Sequence, residues 1–180
     1  MLETTRLQLV QWNSEDWLQL KPIAQDPQVM RYISAGRPWT DEQIREFVER
    51  QISGFAERGF CFWRSLTKEA GSDGSAGEMI GFCGLQQLPA TKEIEIGWWL
   101  AQAWWNKGLA TEAAREAMRD GFQRIGLERI VAVAIPENRA SIHVMEKLGM
   151  RFERETTHRG FRVALYAIDR VPNAANTQAG

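Results

Sequence analysis

Cysteine and histidine are scarce in this 180-residue chain, at two each. His143 and His158 stand alone, without the spaced partners that a metal centre needs, so no metal site is expected. Cys61 and Cys83 lie in the apolar triplets Phe60-Cys61-Phe62 and Phe82-Cys83-Gly84. They read as buried, reduced thiols rather than a disulfide or a nucleophile. Excess charge is missing too. A formal net charge of −1 supplies no general field to draw the protein onto nucleic acid or anionic lipid. No apolar run approaches membrane-spanning length and the first residues hold no signal-like core. A cytoplasmic protein without a nucleic-acid or membrane partner is therefore expected.

What is present suffices for one domain with a sizeable core, since 44% of the residues are hydrophobic. Arg6 to Trp12 alternate around Leu7 and Leu9 and read as a first strand. Ser14-Glu15-Asp16 reads as a helix start, with acids at the positive end of the dipole. Pro22, Pro27 and the Ser34-to-Pro38 stretch are expected to leave this helical region short and broken. Thr40 and Gln43 have capping-box spacing, Ile44, Phe47, Val48, Ile52 and Phe55 follow at helical intervals, and Gly59 ends the helix. Phe60 to Leu66, Met79 to Leu88 and Glu93 to Leu100 read as strands, with Lys68 to Gly77 a polar hairpin loop.

The second half alternates helix and strand. Ala110, Ala113, Ala114, Ala117, Met118, Gly121, Phe122 and Ile125 form the apolar stripe of a long helix. Glu112, Arg115, Glu116, Arg119 and Asp120 are expected on its solvated side. Arg129 to Ile135 reads as a strand, and Pro136-Glu137-Asn138 leads into a helix ending at Gly149. Phe152 to Thr157 and Arg162 to Ile168 form a closing pair of strands. The fold class expected is α+β, a single domain over residues 1–170 with a mostly antiparallel central sheet flanked by helices. Residues 171–180 are expected to be a disordered tail.

The most informative segment is Trp104-Trp105-Asn106-Lys107-Gly108-Leu109-Ala110-Thr111-Glu112. A strand ends before it and the long helix starts near Gly108. Unpaired amides at such a start, with the helix dipole behind them, suit a pyrophosphate. Gly108 and Ala110 lack bulk, Lys107 would add charge and Thr111 a hydroxyl. An ordinary strand–loop–helix joint, with Gly108 only permitting a turn, is the alternative. Neither a Walker loop nor a three-glycine dinucleotide fingerprint is present.

Trp105 to Ala113 resembles the coenzyme A loop of the GNAT N-acetyltransferase superfamily, in the branch typified by ribosomal-protein N-terminal (alanine/serine) acetyltransferases. The resemblance continues in order along nearly the whole chain, from about Leu2 to Arg170. Its pieces are Glu3-Thr4-Thr5-Arg6-Leu7, Ile80-Gly81-Phe82-Cys83-Gly84-Leu85, Glu95-Ile96-Gly97-Trp98-Trp99-Leu100, and Pro136 to Ser141 with Glu146 to Met150. Trp105 stands where the broader superfamily has Gln or Arg, a departure that points to the narrower branch.

The resemblance implies a strand–loop–helix acyl-CoA site and acetyl transfer from acetyl-CoA, without a metal, to a primary amine. That amine would be a protein N-terminus or a small molecule. Residues 106–111 (Asn106, Lys107, Gly108, Leu109, Ala110, Thr111) would hold the diphosphate. The Trp98-Trp99-Leu100 backbone would pair with the pantetheine arm, the two indoles packing in the core or cleft wall. Asn138 would contact the coenzyme arm, cap the last helix, or both. Glu95 lies on the strand expected to face the thioester and is the candidate base, with Glu93 in reserve; either carboxylate would otherwise pair with a surface cation. Where many GNAT enzymes carry a proton-donating tyrosine this chain has Met145, and the branch implies Ser141, one helical turn earlier, as donor. Met30, Tyr32, Phe60 and Trp63 are expected to line the acceptor side, although such residues also suit a core. The rival readings are a catalytically silent coenzyme A-binding sensor and a nucleotide-dependent enzyme using the same loop. Monomer and homodimer stay open.

Overall fold

Thr40 starts the longest helix as its spacing to Gln43 predicts. In the computed structural model, which describes residues 1–33, 35–68, 77–89 and 91–171, the Gln43 N–H donates to the Thr40 hydroxyl at 3.2 Å. The Thr40 N–H donates to the Gln43 side chain at 2.9 Å. A box of this kind contributes about 1 kcal/mol to a helix. The helix α3 (Asp41–Arg58) ends at Gly59 in the left-handed conformation, φ 75°. Before it lie α1 (Trp17–Ala24) and α2 (Pro27–Met30).

The helix start read at Ser14-Glu15-Asp16 is a 3-10 turn leading into α1 and is capped by Asn13: its side chain accepts from the Glu15 N–H, and Asp16 accepts from the Asn13 N–H. Pro22 does not break α1 but sits inside it. The carbonyl deprived of its donor belongs to Leu18, which is exposed to solvent. Pro27 does act as a boundary, opening α2 under an Asp26 cap.

The strands are β1 (Leu2–Glu3), β2 (Leu7–Val10), β3 (Phe62–Thr67), β4 (Met79–Gln87), β5 (Ile94–Leu100), β6 (Arg129–Ala134), β7 (Arg151–His158) and β8 (Phe161–Asp169). They form one sheet in the order β1-β2-β3-β4-β5-β6-β8-β7. Every neighbouring pair is antiparallel except β5–β6, so the α+β class with a mostly antiparallel sheet is as expected. The one parallel pair needs a crossover, supplied by α4 (Leu109–Asp120) with its continuation Gly121–Ile125. The last helix, α5 (Arg139–Lys147), links β6 to β7. Phe47 of α3 packs on Phe62, Phe82 and Trp99 across one sheet face. Gly121 meets Leu85 on the other, so closely that a Cβ would lie 2.7 Å from it. Asp120, expected in solvent, is buried and held bidentate by Arg124.

Cys61 and Cys83 are free and buried. Burial pushes the Cys61 thiol up to about 12 and that of Cys83 higher still, which suppresses nucleophilic thiolate at neutral pH. Most of the Lys68–Gly77 loop and the 171–180 tail lie outside the described residues.

Candidate active site

Strands β5 and β6 are in register at one position, Glu95 opposite Val131. No further β5–β6 pairing is formed among the described residues, and the unpaired arms, Gly97–Leu100 and Val133–Ile135, line a wedge of open space. Ligands of sheets with parallel pairs gather beyond the carboxyl ends of such strands. The wedge leads into a groove of about 550 Å³, lined by Trp98, Trp99 and Leu100 of β5, by Asn106 and Gly108 to Thr111, and by Asn138 and Ser141.

The loop into α4 is built by two left-handed residues, Asn106 (φ 60°) and Gly108 (φ 76°). No side chain caps the helix. Its first intrahelical bond runs from the Glu112 N–H to the Gly108 carbonyl, 3.0 Å, so the Leu109, Ala110 and Thr111 amides precede the ladder, and these three residues line the groove. The arrangement fits a diphosphate: donors, a favourable dipole end and small residues at the mouth. Trp105 steadies the loop by donating its indole N–H to the Leu100 carbonyl at 2.7 Å. Lys107 contributes differently from expected. Its ammonium lies 4.7 Å from the Trp104 ring centroid, and the residue does not line the groove.

A clamp behind the loop escaped the sequence reading. The Arg6 guanidinium donates to the Lys107 carbonyl (2.9 Å) and to Glu112 (2.7 Å), and the Thr4 hydroxyl donates to Glu112 at 2.6 Å. Glu112 is thus not on a purely solvated face but ties the first turn of α4 to the β1–β2 connection. Burial opposes its charge, yet hydrogen bonds from Thr4 and Arg6 outweigh that and hold the carboxyl below the usual range. Partners 106 residues apart leave no local pattern to read.

A second cavity of about 180 Å³ adjoins the groove along β5. Trp98, Trp99, Asn138 and Ser141 border both spaces. Glu95 lies in its wall, 8% exposed. The β4–β5 register sets Gln86 opposite it, and the Gln86 amide donates to its carboxylate at 2.5 Å. Burial pushes the Glu95 pKa up, against the smaller pull of the Gln86 bond and the Arg159 charge. A raised carboxylate pKa moves a base toward its working range. Glu93 is not part of the cavity; it faces Arg129 at 3.9 Å. Because β5 begins at Ile94, the strand alternation that aims Glu95 inward does not extend to it.

Ser141 and Met145 line the same cavity, as one-turn spacing predicts. Asn138 caps α5 by accepting from the Ser141 N–H at 3.2 Å, and its place at the junction leaves both roles available. Of the expected acceptor residues, Tyr32 borders both spaces. Met30, Phe60 and Trp63 border neither and are buried in the core, Trp63 against Phe55 of α3. The apolar pattern that selected them is the pattern of a core. Unforeseen are Arg50 of α3 and the pair His158–Arg159 at the β7–β8 turn, all lining the cavity.

Among the described residues no group of three His, Cys, Asp or Glu side chains is placed to hold a metal ion, and no helix is long and apolar enough to cross a membrane. The family model described as acetyltransferase (GNAT) domain matches residues 6–151. The uncharacterized N-acetyltransferase YnaD of Bacillus subtilis is 32% identical over 152 residues, 84% of this chain and 83% of that protein. Spermidine N(1)-acetyltransferase of Escherichia coli K12 is 28% identical over 82% of this chain and 74% of its own length. The solved structure of RimL, a ribosomal L7/L12 alpha-N-protein acetyltransferase in complex with coenzyme A, has a TM-score of 0.71 at 19% identity. It covers 92% of this chain and 95% of that one, and at that identity it shares the fold. With an uncapped helix start, a split parallel pair and a buried carboxylate arranged around one junction, the chain belongs to the GNAT acetyltransferase family and is an acetyl-CoA-dependent N-acetyltransferase.

Proposed function

We propose that the chain moves the acetyl group of acetyl-CoA directly to a primary amine in a ternary complex, with Glu95 as base and Ser141 as proton donor. The observation that carries this reading is that Glu95 and Ser141 line one cavity, and that Ser141 also lines the loop-side groove. A lysine-type amine has a pKa near ~10.4 and a chain N-terminus near ~8, so the attacking amine must lose a proton. Glu95 takes it, directly or through water. The nitrogen attacks the thioester carbon, the C–N bond forms as the C–S bond breaks, and the Ser141 hydroxyl protonates the departing sulfur, recovering its proton from the newly acylated nitrogen. Unpaired β5 amides along the wedge polarise the carbonyl. The 106–111 turn carries the diphosphate and Asn138 the pantetheine arm. A cytoplasmic setting is part of the same proposal; no observation favours a silent sensor.

The test is the pH dependence of kcat at saturating acetyl-CoA and amine. Glu95 is active when deprotonated, so kcat rises with pH through its pKa, which burial sets above the ordinary 4.5. Glu95→Gln should lower kcat by about 10²–10⁴-fold and abolish that limb. An unchanged profile removes Glu95 as base.

A further inference from the structure

The acceptor cavity carries more positive than negative charge, and this identifies the amine more closely. The inference rests on the acyl-transfer reading above. Among the described residues that line the cavity, Glu95 is the one carboxylate, against the two arginines Arg50 and Arg159. Glu46 lies 3.8 Å from Arg50, with both side chains more than half exposed, a pairing too solvated to neutralise the cation. Arg162 is occupied by Glu155 at 2.6 Å, whereas Arg159 makes no ion pair among the described residues. His158 adds no third charge at neutral pH. Burial, and then the Arg159 charge, hold its pKa below the ordinary 6.5.

The backbone at Arg159 is a second, independent sign. Arg159 and Gly160 have φ of 49° and 83° between the paired residues His158 and Phe161, a tight hairpin turn with both central residues left-handed. Asn, Asp or Gly is favoured at the first of these positions. A long, charged residue there is uncommon and is sterically disfavoured. Arg159 lines the cavity together with the packed aromatic residues Trp39, Phe47 and Trp99, and its charge acts on Glu95.

We propose that the acceptor is a small aminocarboxylate, an α-amino acid with an apolar or aromatic side chain, its amine at Glu95 and its carboxylate bound by Arg159. Arg50 adds the second charge and the aromatic rings receive the side chain. The volume of about 180 Å³ suits a compact acceptor. A polyamine would set further cations against Arg50 and Arg159. A peptide N-terminus would bring a neutral amide where the carboxylate belongs. The products are the N-acetyl amino acid and the coenzyme A thiol: C–N forms, C–S breaks, and the amine proton leaves through Glu95.

The test compares amino acids with the amines made by deleting their carboxylate. Phenylalanine is set against phenethylamine and leucine against isopentylamine, with spermidine as polycation and a short peptide as N-terminus. Thiol release from acetyl-CoA gives kcat/KM, corrected for the fraction of free amine at the assay pH. The amino acid of each pair should be preferred about tenfold or more, and Arg159→Gln should reduce that ratio about tenfold, the loss expected when a charge-assisted hydrogen bond is removed. Arg159→Lys should keep part of it. Preference for the decarboxylated amine, for spermidine or for the peptide overturns the proposal, as does a ratio unmoved by Arg159→Gln. Absence of turnover across the panel overturns it too. Calorimetry with coenzyme A then separates the cases: binding leaves the donor-site reading standing, and no binding removes both.

Discussion

The groove at the α4 start and the cavity at Glu95 share a wall but are built from different materials. The groove is made of backbone: a left-handed turn at Asn106 and Gly108, three amides ahead of the helix ladder, and the unpaired arm of a strand that meets its parallel neighbour at one paired position. The cavity is made of side chains from elements far apart in sequence, with Tyr32, Arg50, Glu95, Ser141 and Arg159 all in its wall. A backbone site needs particular residues only where bulk or φ would spoil it, so it is written in a short continuous stretch. A side-chain site is written wherever the fold happens to bring the chain.

If this contrast holds, substitutions should separate donor from acceptor. On the coenzyme side the largest effect is expected at Gly108, whose φ of 76° disfavours any β-branched residue. A Cβ there would meet only Arg6, at 3.6 Å, so the penalty is conformational on the protein side and steric toward the ligand. Gly108→Val should weaken coenzyme A binding about 100-fold through backbone strain and lost close approach, measured by titration, with the melting temperature followed as a control for folding. Next comes Ser141, at the junction. Ser141→Ala should lower kcat by about 10- to 100-fold, the range for losing a hydrogen bond to a developing charge, with coenzyme affinity nearly unchanged. Full turnover in that variant would remove Ser141 as donor. The smallest effect is expected at Arg6, which touches the loop only from behind. Arg6→Gln loses the ion pair to Glu112 and the bond to the Lys107 carbonyl. It should raise the KM for acetyl-CoA by about 3- to 10-fold, since such partly exposed pairs contribute about 1 kcal/mol. The KM for the amine should move less. An equal rise in both would mean that the clamp supports the whole domain rather than the loop.

The same contrast explains what could be read from the sequence. The capping box at Thr40, the left-handed ends at Gly59 and Gly149 and the period-two strands are local, and the structure places them where they were expected. The position of Glu95 in the cavity wall follows from the strand that carries it, and the shared cavity of Ser141 and Met145 from one helical turn that puts them on one face. Glu112 was misread for an instructive reason. Helical periodicity reports the side on which a residue lies, not whether a distant arginine waits there. Met30, Phe60 and Trp63 were misassigned because an apolar run looks alike whether it faces a core or a cleft. Arg159 gave no signal at all until its turn conformation was known.

The most direct test of the account is calorimetric titration of coenzyme A into the folded protein and into its Gly108→Val variant. A single saturable site in the first, lost or strongly weakened in the second, is the result predicted by a diphosphate held on the Asn106–Thr111 amides. No heat of association in either, with both proteins folded, would contradict it.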